Sequence, residues 1–196
     1  IVQILRSALE GILPPDSIQI IESRERSIVY EMLKLNEYID VIVPRGSAQF
    51  IKFVRDNSSV PVIETGAGNN HIFVNWDADF DMANRIIVNA KVQRPAVCNA
   101  VRKVLVHKDI AEKYVPLLVS ELRRYGVKVK GDEKCLKIVQ DIIPPDESDW
   151  YEEYLDLTLA IKIVDSVKEA VEHINKYGTK HSESIITKNL EDAKYF

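Results

Sequence analysis

The chain has 196 residues, 46% of them hydrophobic and 29% charged, which is room for one large domain or two small lobes around a real core. A net charge of −4 gives no general attraction to nucleic acid or to an anionic membrane. The longest apolar runs, such as Ile39 to Pro44 and Thr158 to Val164, are far too short to span a bilayer.

The N-terminal text Val2, Leu5, Ala8 and Leu9 has helical spacing and predicts a helix to about Glu10, ended at Gly11. After the turn Pro14-Pro15-Asp16, Ser17 to Ile21 reads as a strand, Ser27 to Leu35 as a helix and Tyr38 to Pro44 as a buried strand. Ala48 to Asp56 is helical, and Val60 to Glu64 is a strand broken by Gly66 and Gly68. His71 to Asn75, Lys103 to His107, Val127 to Lys130, Thr158 to Val164 and Ser184 to Thr187 then alternate as strands with helices. Those helices are read over Asp79 to Lys91, Ile110 to Tyr125, Ser166 to Tyr177 and from Asn189 onward. Asp132 to Gln140 is helix-like, and Pro144 to Tyr154 is an acidic, aromatic loop region. Alternating strands and helices predict an α/β fold with parallel-type sheets, in two lobes that meet near Gly66. The two ends break into helical text, so the chain is expected to be a piece of a longer polypeptide.

Four places carry chemistry. Gln93 to Ala100 puts Cys98 in a proline-broken turn between a helix and a strand. A thiol there can face a cleft and hold an acyl group as a thioester, although free cysteine is more often a buried core residue. Pro44-Arg45-Gly46-Ser47 feeds a helix whose start can hold phosphate, with Ser47 as cap and Arg45 as added charge. An ordinary βα turn has the same look. Glu64 ends a strand, where ligands gather in open α/β folds, and could serve as a general base. The pair Glu152-Glu153 reads first as a solvated acidic face. The two cysteines, Cys98 and Cys135, make neither a disulfide framework nor a metal pair, and the four histidines share no metal spacing. That usage fits a reducing, cytoplasmic compartment. Cys135 lies in helix-like text and reads as structural.

Together, Tyr38 to Gly46, His71 to Val74, Asn89 to Lys91 and above all Gln93 to Asn99 resemble the aldehyde dehydrogenase superfamily, and within it the gamma-glutamyl phosphate reductase (glutamate-5-semialdehyde dehydrogenase) branch. The resemblance runs over essentially the whole chain. It implies a partial aldehyde-dehydrogenase-like fold, in which residues 1–63 are the second half of the NADP-binding domain and 64–196 a C-terminally incomplete catalytic domain. It also implies NADPH-dependent reduction of L-glutamyl 5-phosphate to L-glutamate 5-semialdehyde, with phosphate release, in L-proline biosynthesis. Cys98 matches the family nucleophile, with backbone N–H donors near it for the carbonyl oxygen. Arg45, Gly46 and Ser47 match the pyrophosphate turn. Glu153 matches the glutamate on the nicotinamide ribose, with Leu155 beside the nicotinamide. Glu64, Gly66, Arg94 and Asn99 fall in the substrate or cofactor neighbourhood.

As partners the resemblance implies the small-molecule substrate, a functional association with glutamate 5-kinase, and a homo-oligomer of the full-length enzyme. No metal, nucleic acid or membrane is expected. Two alternatives stay open. One is a hydrolytic aldehyde dehydrogenase with Glu64 as its base, the other a catalytically inactive fragment or binding module. The fragment alone is expected to lack turnover.

Overall fold

The computed structural model describes residues 1–64 and 66–196; Thr65, inside the Glu64-to-Gly68 segment, lies outside the described residues. The chain divides into two compact units, Ile1–Thr65 and Gly66–Phe196.

The first unit holds three short helices, α1 (Val2–Ala8), α2 (Ser27–Met32) and α3 (Ala48–Asn57), and a 3-10 turn at Pro15–Ser17. Gly11 takes φ +80° beyond α1, the left-handed backbone that a glycine adopts without steric penalty. The expected strands are where the structure departs from the sequence reading. Tyr38 to Pro44 and Val60 to Glu64 meet in a single parallel bridge, Ile42 with Val62. Its bonds are Ile42 N–H to the Pro61 carbonyl (2.8 Å) and Ile63 N–H to the Ile42 carbonyl (2.9 Å). Ser17 belongs to the 3-10 turn, and Ile20 and Ile21 are exposed. Apolar, β-branched text favours a strand, but the N–H groups of Tyr38 and Ile39 close a turn on the Leu35 carbonyl, and a ladder also needs a neighbour of matching length. Prolines at 44 and 61 further remove two of the donors a ladder would use. The unit's core is small, built on Leu33, Ile51, Val54 and Val60.

The second unit is a five-stranded, all-parallel sheet in the order β3-β4-β2-β1-β5. Its strands are β1 (Asn70–Val74), β2 (Val101–His107), β3 (Lys128–Gly131), β4 (Thr158–Val164) and β5 (Glu183–Ile186). Its helices are α4 (Phe80–Val92), α5 (Lys108–Arg124), α6 (Glu133–Ile138), α7 (Val167–Tyr177) and α8 (Leu190–Tyr195). Helix starts follow their caps: Asp79, Asp132 and Ser166 accept the N–H groups of Met82, Cys135 and Glu169.

Alternate residues of the central strands feed two cores. Ile72, Val74, Val104 and Val106 join Ile87, Tyr114, Leu118 and Leu122 from α4 and α5. Phe73 and Leu105 join Val164 and Ala170. Each fully buried leucine or isoleucine here contributes about 1.5–3 kcal/mol over its exposed state. This sandwich of helices on both faces is the expected α/β arrangement. One irregularity matters for the site. Asn70 pairs with Val101 but His71 pairs with Lys103, so Arg102 is an extra, bulged residue at the start of β2. Among the described residues no helix is long and apolar enough to cross a membrane.

Candidate active site

Cys98 lies in the turn that leaves α4 and enters β2, and its side chain is exposed. Pro95 breaks the helical ladder, and the turn closes locally through Val97 N–H to the Arg94 carbonyl (3.2 Å) and Ala100 N–H to the Val97 carbonyl (3.1 Å). Residues distant in sequence then fix it. Asn70 Nδ2 donates to the carbonyls of Cys98 (2.7 Å) and Ala100 (2.9 Å). The Arg102 guanidinium donates to the carbonyls of Pro95 (2.7 Å) and Val97 (2.9 Å). Gly68 is packed so closely that a Cβ on it would lie 1.6 Å from the Cys98 carbonyl oxygen. An exposed thiol thus rides on a backbone that is held from several directions.

Glu153 joins this arrangement. Its Oε1 accepts the Gly68 N–H (2.7 Å) and lies 3.7 Å from Arg102 Nη2. Leu155 is exposed, and it and Glu153 line a small open cavity of about 300 Å³ with Glu152, Tyr154 and Asp156. Three fully buried cations, Lys91, Arg102 and Lys103, crowd the second unit near the turn. Burial pushes Lys103 down to about 7, helped by repulsion from Lys91 and Arg102. Its Nζ donates to the Glu152 carbonyl (2.8 Å) and sits 4.1 Å over the Tyr154 ring. Lys91 is pushed down to about 8, first by burial and then by Arg102.

Arg94 and Asn99 are exposed on the Cys98 turn. Arg45, Gly46 and Ser47 belong to the first unit, where all three are exposed. Ser47 caps α3, its hydroxyl accepting the Phe50 N–H at 3.2 Å, as its position before the helical run suggested. A Cβ on Gly46 would come within 2.9 Å of the Phe50 ring. Glu64, also of the first unit, is exposed and lies 3.5 Å from Arg55. Gly66 opens the second unit, and among the described residues no atom beyond its chain neighbours lies within 4 Å of where a Cβ would stand. Cys135 is buried, its thiol pushed up by burial and directed at the Ile161 carbonyl (3.7 Å), the structural role its helical setting suggested.

The sequence reading gave no role to Asn70, Arg102 or Lys103, and named Lys91 only within a segment that carries the resemblance. The available signal was Arg102-Lys103 inside the otherwise apolar strand text Val101 to His107, where charged residues are costly unless used.

A profile of the aldehyde dehydrogenase family matches residues 1–138. The chain belongs to that family. Gamma-glutamyl phosphate reductase of Dictyoglomus thermophilum is 61% identical over 194 residues, covering 98% of this chain and 47% of that protein. The crystal structure of gamma-glutamyl phosphate reductase from Thermotoga maritima superposes with a TM-score of 0.94 at 52% identity, over 100% of this chain and 47% of that one. A propionaldehyde dehydrogenase from Clostridium phytofermentans, 18% identical with a TM-score of 0.73 over 99% of this chain and 53% of that one, shares the aldehyde dehydrogenase fold. This aldehyde dehydrogenase chain spans about half the length of the curated relatives it matches.

Proposed function

We propose that the chain supplies the thiol of a gamma-glutamyl phosphate reductase, which reduces L-glutamyl 5-phosphate to L-glutamate 5-semialdehyde in L-proline biosynthesis. The observation that carries this reading is the exposed Cys98 on a turn pinned by Asn70 and Arg102, beside the similarity to reductases of that name. The Cys98 sulfur attacks the acyl-phosphate carbonyl carbon; the S–C bond forms, the C–O bond to phosphate breaks, and phosphate departs with its electron pair. A glutamyl thioester remains on Cys98. NADPH, when bound, supplies the hydride that reduces the thioester carbonyl. The resulting thiohemiacetal collapses, with the S–C bond breaking to return the sulfur and free the aldehyde. The rigid turn serves both halves, because a preset geometry lowers the cost of reaching the tetrahedral states.

The cofactor reading assigns the dinucleotide pyrophosphate to the Arg45-Gly46-Ser47 turn, whose helix start presents N–H donors beside a glycine without a side chain. Glu153 is assigned to the nicotinamide ribose. Among the described residues both of its polar contacts, to Gly68 N–H and to Arg102, fall on Oε1, and Oε2 is assigned to hydroxyl donors. Leu155, exposed beside it, offers an apolar surface to the nicotinamide. On this reading residues 1–63 belong to the NADP-binding domain and 64–196 to the catalytic domain. The reaction runs in the cytoplasm, as part of a homo-oligomer working with glutamate 5-kinase. Glu64 orients cofactor or substrate and does not act as a base, because water activated there would hydrolyse the thioester.

The test is NADP⁺ reduction by L-glutamate 5-semialdehyde with and without phosphate, on the full-length polypeptide. Phosphate-dependent turnover that vanishes in Cys98→Ala is expected. Turnover indifferent to phosphate would replace this reading with a hydrolytic dehydrogenase, and none at all with a non-catalytic module.

A further inference from the structure

Arg102 is the most unusual residue near Cys98. It is fully buried at the start of β2, the central strand of the sheet, in a unit that also buries Lys91 of α4 and Lys103, and burying like charges together is expensive. A bulge in a parallel pair is uncommon, and bulges serve to re-aim a side chain. Here the bulge puts Arg102 out of step with the strand, and the guanidinium reaches back to the Pro95 and Val97 carbonyls, on either side of Ala96 and directly before Cys98. Two carbonyls at 2.7 and 2.9 Å need two N–H donors at a fixed angle, which the planar fork of arginine supplies and a lysine ammonium does not. Burial lowers the Arg102 guanidinium from its ordinary value, against which Glu153 and then Cys98 act. Glu153, which also accepts the Gly68 N–H, lies 3.7 Å away. Gly68 in turn packs on the Cys98 carbonyl. The fork therefore closes a ring of contacts around the cysteine turn.

We propose that Arg102 is a positioning residue for Cys98: by clamping the Pro95 and Val97 carbonyls it sets the turn that presents the thiol to the acyl carbon. The assignment rests on Cys98 being the acyl-accepting thiol. It predicts a loss of rate at the thiol step, whereas an arginine that only stabilises the fold would change how much enzyme is competent.

The experiment separates the two. In the full-length enzyme, L-glutamate 5-semialdehyde and NADP⁺ without phosphate give one round of NADPH formation. Cys98 adds to the aldehyde, hydride leaves to NADP⁺, and the thioester waits for phosphate. The amplitude of that burst counts competent thiols, and its rate constant reports the Cys98 step. Arg102→Met is expected to keep the amplitude of its folded fraction while the rate constant falls about 100-fold, the cost of an ångström of misplacement. Arg102→Lys keeps the charge without the fork, and its rate constant is expected to fall at least about fivefold. If Arg102→Met does not fold, Arg102→Lys decides by the same reading. A burst rate constant within about fivefold of the unaltered enzyme in the folded variants overturns the assignment, whatever the amplitude does. If the unaltered enzyme gives no phosphate-limited burst, or Cys98→Ala retains it, the proposed function fails and this assignment falls with it. That outcome is recognised without any Arg102 variant.

Discussion

Replacing Gly68 by alanine tests the geometry around Cys98 more sharply than any other single change. The added Cβ would stand 1.6 Å from the Cys98 carbonyl oxygen, 2.6 Å from the carbonyl carbon and 3.0 Å from Asn70 Nδ2. The two closest atoms belong to backbone, so no side-chain rotation relieves the overlap. A contact of ordinary length, roughly 3.2 Å or more, requires the two segments to part by more than an ångström. That separation cannot leave both the Gly68 N–H to Glu153 bond and the Asn70 to Cys98 bond at their present 2.7 Å. Overpacking costs about 1–3 kcal/mol, and losing a hydrogen bond to a charged partner costs about 1.5–3 kcal/mol more. Together, about 2.5–6 kcal/mol corresponds to a fall in Tm of roughly 5–24 °C for a domain of about 150–250 residues. The displaced thiol should lower phosphate-dependent kcat by about 100-fold. Gly66→Ala is the stability control, since among the described residues nothing beyond its chain neighbours lies within 4 Å of its Cβ position, and its Tm should stay within roughly 2 °C of the unaltered protein. Thermal melting and steady-state NADP⁺ reduction on the full-length enzyme read both effects. A Gly68→Ala variant with unaltered Tm and kcat would refute the close approach of Gly68 to Cys98.

Three further outcomes follow from particular contacts. Asn70→Ala removes the donor to two carbonyls and should cost about 2 kcal/mol by urea unfolding, with kcat reduced about tenfold and KM changed less than about threefold; equal kcat would remove Asn70 from the site. Iodoacetamide on the native protein should label Cys98 and leave Cys135 unmodified, because Cys135 is fully buried with its thiol pushed up by burial; mass mapping before and after denaturation checks this, and native labelling of Cys135 would contradict it. His173 is buried against the rings of His71, Trp150 and Tyr177, and burial pushes it down to about 3. The unfolded chain protonates this histidine below about pH 6.5 while the folded chain keeps it neutral, so stability is lost as pH falls from there toward 3. From pH 7 to pH 5 its share of the loss is about 2 kcal/mol. Urea unfolding of His173→Gln should show a pH slope smaller by that amount, and an unchanged slope would refute the burial of a neutral ring.

Much of the second unit was legible in the chain. Thr158 to Val164 is read as a strand to the residue, and α4, α5 and α7 begin within two residues of their expected starts. Their caps and apolar spacing are local properties, set by side chains a few positions apart. The same kind of text misled in the first unit, where Tyr38 to Pro44 and Val60 to Glu64 make one bridge rather than two paired strands. Strand propensity describes an extended backbone, but pairing depends on what lies beside it.

The sequence by itself determined the order of strands and helices in the second unit, and it put a thiol in a proline-broken turn at Cys98. Periodicity and turn chemistry are written along the chain, so one dimension suffices to read them. Only the tertiary structure decided what holds that thiol. Asn70 lies 28 residues before Cys98, and Glu153 reaches Gly68 across 85 residues. Those meetings exist because β1, β2 and β4 are successive neighbours in the sheet, which brings together the segments that enter them. A hydrogen-bond partner is a matter of position in space, and the strand order that sets position is settled by packing the whole sheet at once.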